Sequence, residues 1–377
     1  MTTSSSSTQK RRLSLPISLR LEPRLEQPRW LSLAVTLGAV ILALLLGALV
    51  LKLVGGSPLL AYRFMIKAAF GNIGVFSDTL TKATPLIFTG LAAVVAFRMR
   101  LWNIGAEGQF YMGALGASAV VLAPLLPEEA SRWLMIPAMI IAGALGGALW
   151  AFLPGYLKAK LNVNEIITTL MMNYIAISFV NYFVFDVWSE GGFQMSRQFP
   201  KNAWLPKLTD LGSQITEFRG LTTHLGLIIA CIAALIVWWI IYRSRWGYEI
   251  RLIGDNPRAA RYAGINIARN IILVMLLSGA LAGLGGMSEI TGVVHRLQGS
   301  ISPGYGFTGI IIAWLAKLNP LLVVPISVLF GALILAGREI QPSGVPMLLQ
   351  GILLVCLIGS DFLMRFRVRL IHLQREA

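Results

Sequence analysis

Along this chain, long apolar stretches alternate with short polar connections, and ten stretches have the continuity of membrane-crossing helices. They run over Trp30–Leu53, Leu80–Phe97, Ile104–Leu126, Trp133–Leu157, Val163–Phe185, Leu221–Tyr242, Asn270–Ile290, Gly299–Ala316, Leu318–Gly337 and Val345–Phe362. The uncharged run Leu31–Leu51 alone covers about 30 Å at about 1.5 Å per residue, the depth of a bilayer core. Pro303, Gly304 and Gly306 interrupt the first half of Gly299–Ala316, so this segment is expected either to cross or to form a broken or re-entrant helix beside a polar cavity. Leu60–Asp78 carries Tyr62, Arg63, Lys67 and Asn72 and suits an external amphipathic helix. Asp186–Leu221, polar and with Pro200 and Pro206, is expected to be the largest external loop.

Composition agrees with the pattern. Hydrophobic residues make up 56% of the chain and charged residues 13%, against about a quarter charged in a soluble domain, so a water-exposed surface cannot be built from it. The pattern predicts an all-α polytopic integral membrane protein of about ten helices, one of them broken or re-entrant. Lys10-Arg11-Arg12 ahead of an apolar stretch also fits a secretory signal. The stretch is longer than such signals carry and no small-residue cleavage site closes it, so the first helix is expected to be retained. Cys231 and Cys356 lie in apolar runs and support neither a disulfide framework nor a thiolate metal site.

Charge adds orientation. With the N-terminus inside, most of the 32 basic residues face the cytoplasm, among them Arg98, Arg100, Lys158, Lys160, the arginines from Arg243 to Arg269, Lys317 and Arg365 to Arg369. Both termini are then cytoplasmic. The expected organisation is a flexible basic tail over 1–29, a membrane domain over 30–363 with a cytoplasmic connection at 243–269, and a second basic tail over 364–377. The net charge of +15 is assigned to topology and lipid contact rather than to nucleic acid.

Three polar stretches are candidates for chemistry. Asn103, Glu107 and Gln109 open an otherwise apolar helix among glycines, where ionisable groups face a polar cavity, a partner helix or the interface. Glu165, Thr169 and Asn173 share one helical face, which either lines a solute path or bonds a neighbouring helix. The Asn162–Glu165 spacing also fits a capping box, with Asn162 as the cap. In the 243–269 connection, Asp255 or Asn256 can cap a short helix that begins at Pro257 and ends at Gly264. Gly143-x-x-x-Gly147, Gly279-x-x-x-Gly283 and Ala282-x-x-x-Gly286 permit close helix crossings, within a subunit or across a dimer.

Together, Asn103–Gln109, Asn164–Asn173, Gly247–Asn266, Ser278–Gly286 and Ser302–Phe307 resemble the inner-membrane permeases of ATP-binding-cassette importers for ribose, other simple sugars, branched-chain amino acids and nucleosides. The nucleoside branch, which uses a basic membrane lipoprotein as its binding protein, is the nearest. The resemblance implies a type II importer-like permease in the bacterial inner membrane that moves a small polar solute, a nucleoside foremost, by alternating access. It implies a second permease subunit, different from this one in preference to an identical copy, a cytoplasmic ATPase carrying ATP and Mg, and an extracytoplasmic substrate-binding lipoprotein. Coupling to the ATPase would fall on Gly247, Glu249, Asn256, Pro257, Ala260 and Gly264. The solute path would draw on Asn103, Glu107, Gln109, Glu165, Thr169 and Asn173. Thr308 departs from the pattern, since the family usually has an acidic residue after Gly306-Phe307.

Two other classes compete. A simple-sugar permease fits the same motifs, and an ion-coupled secondary transporter could use Glu107 or Glu165 for coupling. The chain has no G-x-x-x-x-G-K-[ST] phosphate loop, so ATP hydrolysis is expected on a separate subunit and no cofactor on this one. His224, His295 and His372 are scattered in sequence without metal-ligand spacing, so neither a metal centre nor an enzyme is expected.

Overall fold

A computed structural model describes residues 17–23, 29–123, 125–127, 129–212, 215–337 and 345–372. They form two compact units, Met1–Gly55 with Leu348–Ala377, and Gly56–Met347.

In the first unit, strand β1 (Ile17–Pro23) leads towards helix α1 (Arg29–Leu53). The N-terminal tail, expected to be flexible, and the C-terminal basic tail both contain strand: β1 pairs antiparallel with Phe366–His372, Leu19 opposite Leu370 and Glu22 opposite Arg367. Both segments alternate apolar and polar residues with period two, which suits a ladder. The remainder of the tails, 1–16, 24–28 and 373–377, lies outside the described residues.

The second unit is a helical bundle: α2 (Pro58–Phe70), α3 (Ile73–Arg98), α4 (Ala106–Leu122), α5 (Arg132–Leu161), α6 (Glu165–Tyr182), α7 (Leu225–Arg243), α8 (Arg245–Asp255), α9 (Pro257–Tyr262), α10 (Ile267–Glu289), α11 (Tyr305–Leu315) and α12 (Pro320–Ala336). Helix α13 (Val345–Arg365) follows. The amphipathic stretch predicted over Leu60–Asp78 is divided. Asn72 caps a new helix by accepting from the Val75 amide at 2.8 Å, so the last residues of that stretch belong to α3.

Five described helices, α3, α5, α6 with its π-helical end, α7 and α10 with its π-helical end, are long and apolar enough to cross a bilayer. Helices α4 and α12 have 17 residues each and α11 has 11. The sequence expectation of about ten crossings already set Gly299–Ala316 apart as crossing, broken or re-entrant. Eleven residues cover only about 17 Å, so α11 spans about half the bilayer and the preceding 295–304 segment continues without helix.

Helix α3 is buried from Thr81 to Phe97. Around it α4, α5 and α10 approach almost backbone to backbone. A Cβ on Gly147 would overlap the Gly279 carbonyl, one on Gly283 the Gly143 carbonyl, and one on Gly286 the Phe110 carbonyl. The small-residue motifs thus pack against one another within one subunit. Helices α5, α6 and α7 turn apolar faces outward, including Leu145, Leu149, Ile167, Ile175, Ile232 and Trp239. Such faces are stable against lipid or another apolar protein surface rather than water.

Candidate functional site

Two helices begin inside the bundle rather than at its ends. The Tyr305 carbonyl, at the start of α11, accepts from Thr89 Oγ1 at 2.9 Å, roughly 14 Å along α3 from Arg98. The Gly306 amide, in the first turn of α11, donates to Glu107 Oε2 at 2.6 Å, which puts the first turn of α4 at the same depth. A helix start leaves amides without intrahelical acceptors, and buried ones need partners from elsewhere.

The polar motif supplies those partners. Asn173 Oδ1 accepts from the Gly108 amide at 2.8 Å while Asn173 Nδ2 donates to the Ile104 carbonyl at 2.9 Å. Thr169 Oγ1 accepts from the Ile104 amide at 3.2 Å and donates to the Glu165 carbonyl at 2.6 Å. Asn103 Oδ1 accepts from the Gly105 amide, and its amide group exchanges hydrogen bonds with Gln109 at 3.0 and 3.1 Å. Asn103 Nδ2 also donates to Ser278 Oγ at 2.9 Å, tying α10 into the joint, and Ser278 Oγ donates to the Ala92 carbonyl on α3. Five of the six predicted path residues, Asn103, Glu107, Gln109, Thr169 and Asn173, are thereby brought together, each at most 3% exposed. Their polar groups bond helix starts and neighbouring helices.

Glu165 stands apart. Its carboxylate pairs with Lys158 at 2.9 Å across the α5–α6 turn. The capping box predicted on Asn162 does not form. Asn162 closes α5 in a left-handed conformation (φ 50°), and Asn164 is the cap of α6, accepting from the Ile166 amide at 2.9 Å. Two asparagines two positions apart both satisfy the sequence rule, and the length of α5 selects the second.

The arginine-bearing end carries α8 and α9. Asn256 caps α9 by accepting from the Arg258 and Ala259 amides, both at 3.1 Å, with Pro257 as first residue. The helix stops at Tyr262, and Gly264 turns the chain at φ 76°. Helix α8, not foreseen as a separate helix, is capped by Ser244 and clamped to the bundle. Gly247 lies against the Ile240 and Ile241 carbonyls and Gly254 against that of Arg98. Asn270 Nδ2 donates to Glu249 Oε2 at 2.8 Å and Asn270 Oδ1 accepts from the Trp246 indole at 2.7 Å. The Arg98 guanidinium donates to the Tyr242 hydroxyl. Ala260 is buried, whereas Pro257, Arg258, Arg261 and Tyr262 are exposed.

Sequence reasoning missed a cluster at the opposite end. His224 and His295, far apart in the chain, meet around Lys207. Lys207 Nζ donates to His295 Nε2 at 3.0 Å, the Lys207 and His224 backbones form a bridge, and Trp204 stacks on the His295 ring at 3.9 Å. Burial, then the positive charge of Lys207, lowers His295 to about 4, partly opposed by its hydrogen bond with the Thr291 backbone. Burial, followed by Lys207, His295 and Lys82, lowers His224 to about 3. Burial also lowers Lys207, with Asp210 opposing. Beside them Lys82 pairs with Glu289 at 2.8 Å between α3 and α10. Among the described residues no group of His, Cys, Asp or Glu is placed to hold a metal ion.

Comparison with known proteins identifies the architecture. The chain is 34% identical over 362 residues to the glucose ABC transporter permease protein of Haloferax volcanii, covering 93% of this chain and 94% of the relative. It is 36% identical over 344 residues to the guanosine ABC transporter permease protein of Bacillus subtilis, covering 89% and 95%. A nucleoside ABC transporter permease protein of Lactococcus lactis matches at 32% over 83% of this chain and 85% of the relative. The two bacteria each have a second permease protein described by the same cargo, matching at 25% and 27%. Residues 75–358, from the start of α3 into α13, match the family model described as the branched-chain amino acid transport system / permease component, and the chain belongs to this family of multi-pass membrane transport subunits.

Proposed function

We propose that this chain is one permease of an ATP-driven importer for nucleosides. The observation that carries the reading is the near full-length similarity to permeases named for guanosine and for nucleosides. The glucose permease relative supports a sugar as the second reading, and the ring hydroxyls that sugars and nucleosides have in common make one path suitable for either.

The occurrence of two permeases with the same named cargo in both bacteria supports pairing with a second, different permease. The exposed apolar faces of α5, α6 and α7 are suitable for that partner or for lipid. The concentration of arginines around α8 and α9 supports a cytoplasmic location for that end, with both termini on the same side. In this orientation α9 presents Pro257, Arg258, Arg261 and Tyr262 to an ATPase subunit, which binds ATP and Mg, and an extracytoplasmic lipoprotein delivers solute at the Lys207 end.

Helix α8 is fixed to the ends of α3, α7 and α10, so a push on α9 reaches the three helices as one lever. Gly247, Glu249 and Asn270 hold the lever, and Asn256, Pro257, Ala260 and Gly264 shape its tip. The buried joint of Asn103, Glu107, Gln109, Thr169 and Asn173 keeps α4, α6, α10 and α11 in fixed register, so the bundle turns as a block. Solute moves only if the two end states bind it differently.

The test is uptake of labelled guanosine by proteoliposomes holding both permeases, the ATPase and the lipoprotein, with and without internal ATP. Uptake that requires ATP and disappears in Gly264→Val, with the complex still assembled, supports the reading. Uptake by this chain alone, driven by an ion gradient, overturns it.

A further inference from the structure

At the end away from the arginines, Asp78, Thr81, Lys82, Lys207, Thr222, Gly292, Val293 and Leu335 surround a cavity of about 270 Å³. Ligand pockets start near about 300 Å³, so this one is sized for a single small ring. The residues come from α3, the 188–224 loop, the end of α10 and α12, and nothing in the sequence motifs pointed to them.

The chemistry of the lining is mixed by design of its pairs. Lys82 Nζ has one partner, Glu289 Oε1, and two further N–H groups. The other carboxylate oxygen, Glu289 Oε2, is buried without a partner. Asp78 Oδ1 accepts from Thr222 Oγ1 at 2.6 Å, and Asp78 is only half-buried. Lys207 is held by the neutral ring of His295. The lining therefore offers the Lys82 and Lys207 ammonium donors beside the Asp78 carboxylate acceptor, with Val293 and Leu335 as an apolar wall.

A free anion would meet the Asp78 carboxylate, and a free cation would meet Lys82 and Lys207. A hydroxyl both donates and accepts, so adjacent hydroxyls on one ring can bond a carboxylate and an ammonium at once. We propose that this cavity is a binding subsite for a neutral polyhydroxylated ring, with Asp78 accepting from one hydroxyl and Lys82 or Lys207 donating to its neighbour. The inference rests on the transport reading above and deepens it: recognition falls on the ring hydroxyls, and the remainder of the solute lies outside the cavity.

The test uses the assembled complex with Cys231→Ser, Cys356→Ser and Val293→Cys in this chain, so that a thiol reagent reports the cavity. Guanosine is expected to protect Cys at that position from labelling, and its 2′,3′-dideoxy form to require about tenfold or more higher concentration, the weight of one hydrogen bond to a charged group. Asp78→Asn should weaken protection by guanosine and leave that by the dideoxy form unchanged. Lys207→Gln provides the same comparison if the Asp78 variant does not assemble. Equal protection by both compounds, or ATP-driven guanosine uptake without any protection, overturns the subsite and leaves the transport reading intact. Absence of uptake for guanosine and for glucose overturns the transport reading itself.

Discussion

The Glu107 carboxylate of α4 caps the first turn of α11, accepting from the Gly306 amide at 2.6 Å across 199 positions of sequence. An ionisable group placed early in an apolar helix is thereby committed to a backbone amide that has no acceptor of its own. Glu107→Ala should lower stability by about 1–3 kcal/mol, the cost of a buried unpaired donor. Glu107→Gln keeps an acceptor oxygen and should cost less. Thermal unfolding of the detergent-solubilised protein ranks the two, and equal losses would contradict the capping role.

Asn173 closes two backbone groups at once, the Gly108 amide and the Ile104 carbonyl. Asn173→Leu leaves both buried without partners, so the expected loss is larger than for Glu107→Gln and on the order of 2 kcal/mol or more. Solute affinity of whatever protein still assembles should be unchanged. A shift in solute affinity at full stability would place Asn173 on the solute path.

Gly147 and Gly279 meet at the crossing of α5 and α10, where an added Cβ on Gly147 overlaps the Gly279 carbonyl. Gly147→Leu must separate the two helices or the whole α4–α5–α10 group, and overpacking of this kind costs about 1–3 kcal/mol or more. Expression level and thermal midpoint should both fall, whereas Gly351→Ala, at a helix position with open space around it, should lose far less.

His224 and His295 are held below the usual histidine value, near 3 and 4, chiefly by burial. Unfolded histidines take up a proton near about 6.5, so below that pH the unfolded chain binds protons that the folded chain does not. Stability is then complete above about pH 6.5 and declines towards pH 4. The thermal midpoint measured from pH 7.5 to 4.5 should drop, and His295→Gln should shallow the drop. An unchanged slope would remove His295 from the effect.

What the sequence could convey follows from how local each signal is. Asn256, Pro257 and Gly264 were legible because a cap, a first-turn proline and a left-handed turn are decided within a few residues. The choice between Asn162 and Asn164 was not, because it depends on where α5 ends. Asn103, Gln109, Thr169 and Asn173 stood out as polar residues in apolar helices, but a solute path and an interior helix start require the same residue types. The cluster of Lys82, Lys207, His224, Glu289 and His295 left no trace, since its members come from α3, the 188–224 loop and the end of α10, and only tertiary folding joins them.

The non-helical run before α11 acts as a measuring rod. It begins at His295, which is held by Lys207 and Trp204, and leads into the first turn of α11, where Gly306 is held by Glu107. Extended chain advances about 3.3 Å per residue, so removing or adding one residue between these anchors would carry Gly306 past its acceptor by more than a hydrogen bond can stretch. Length, more than composition, is therefore the conserved currency to expect between 295 and 306 among working variants of this chain, with insertions confined to connections that have only one fixed end.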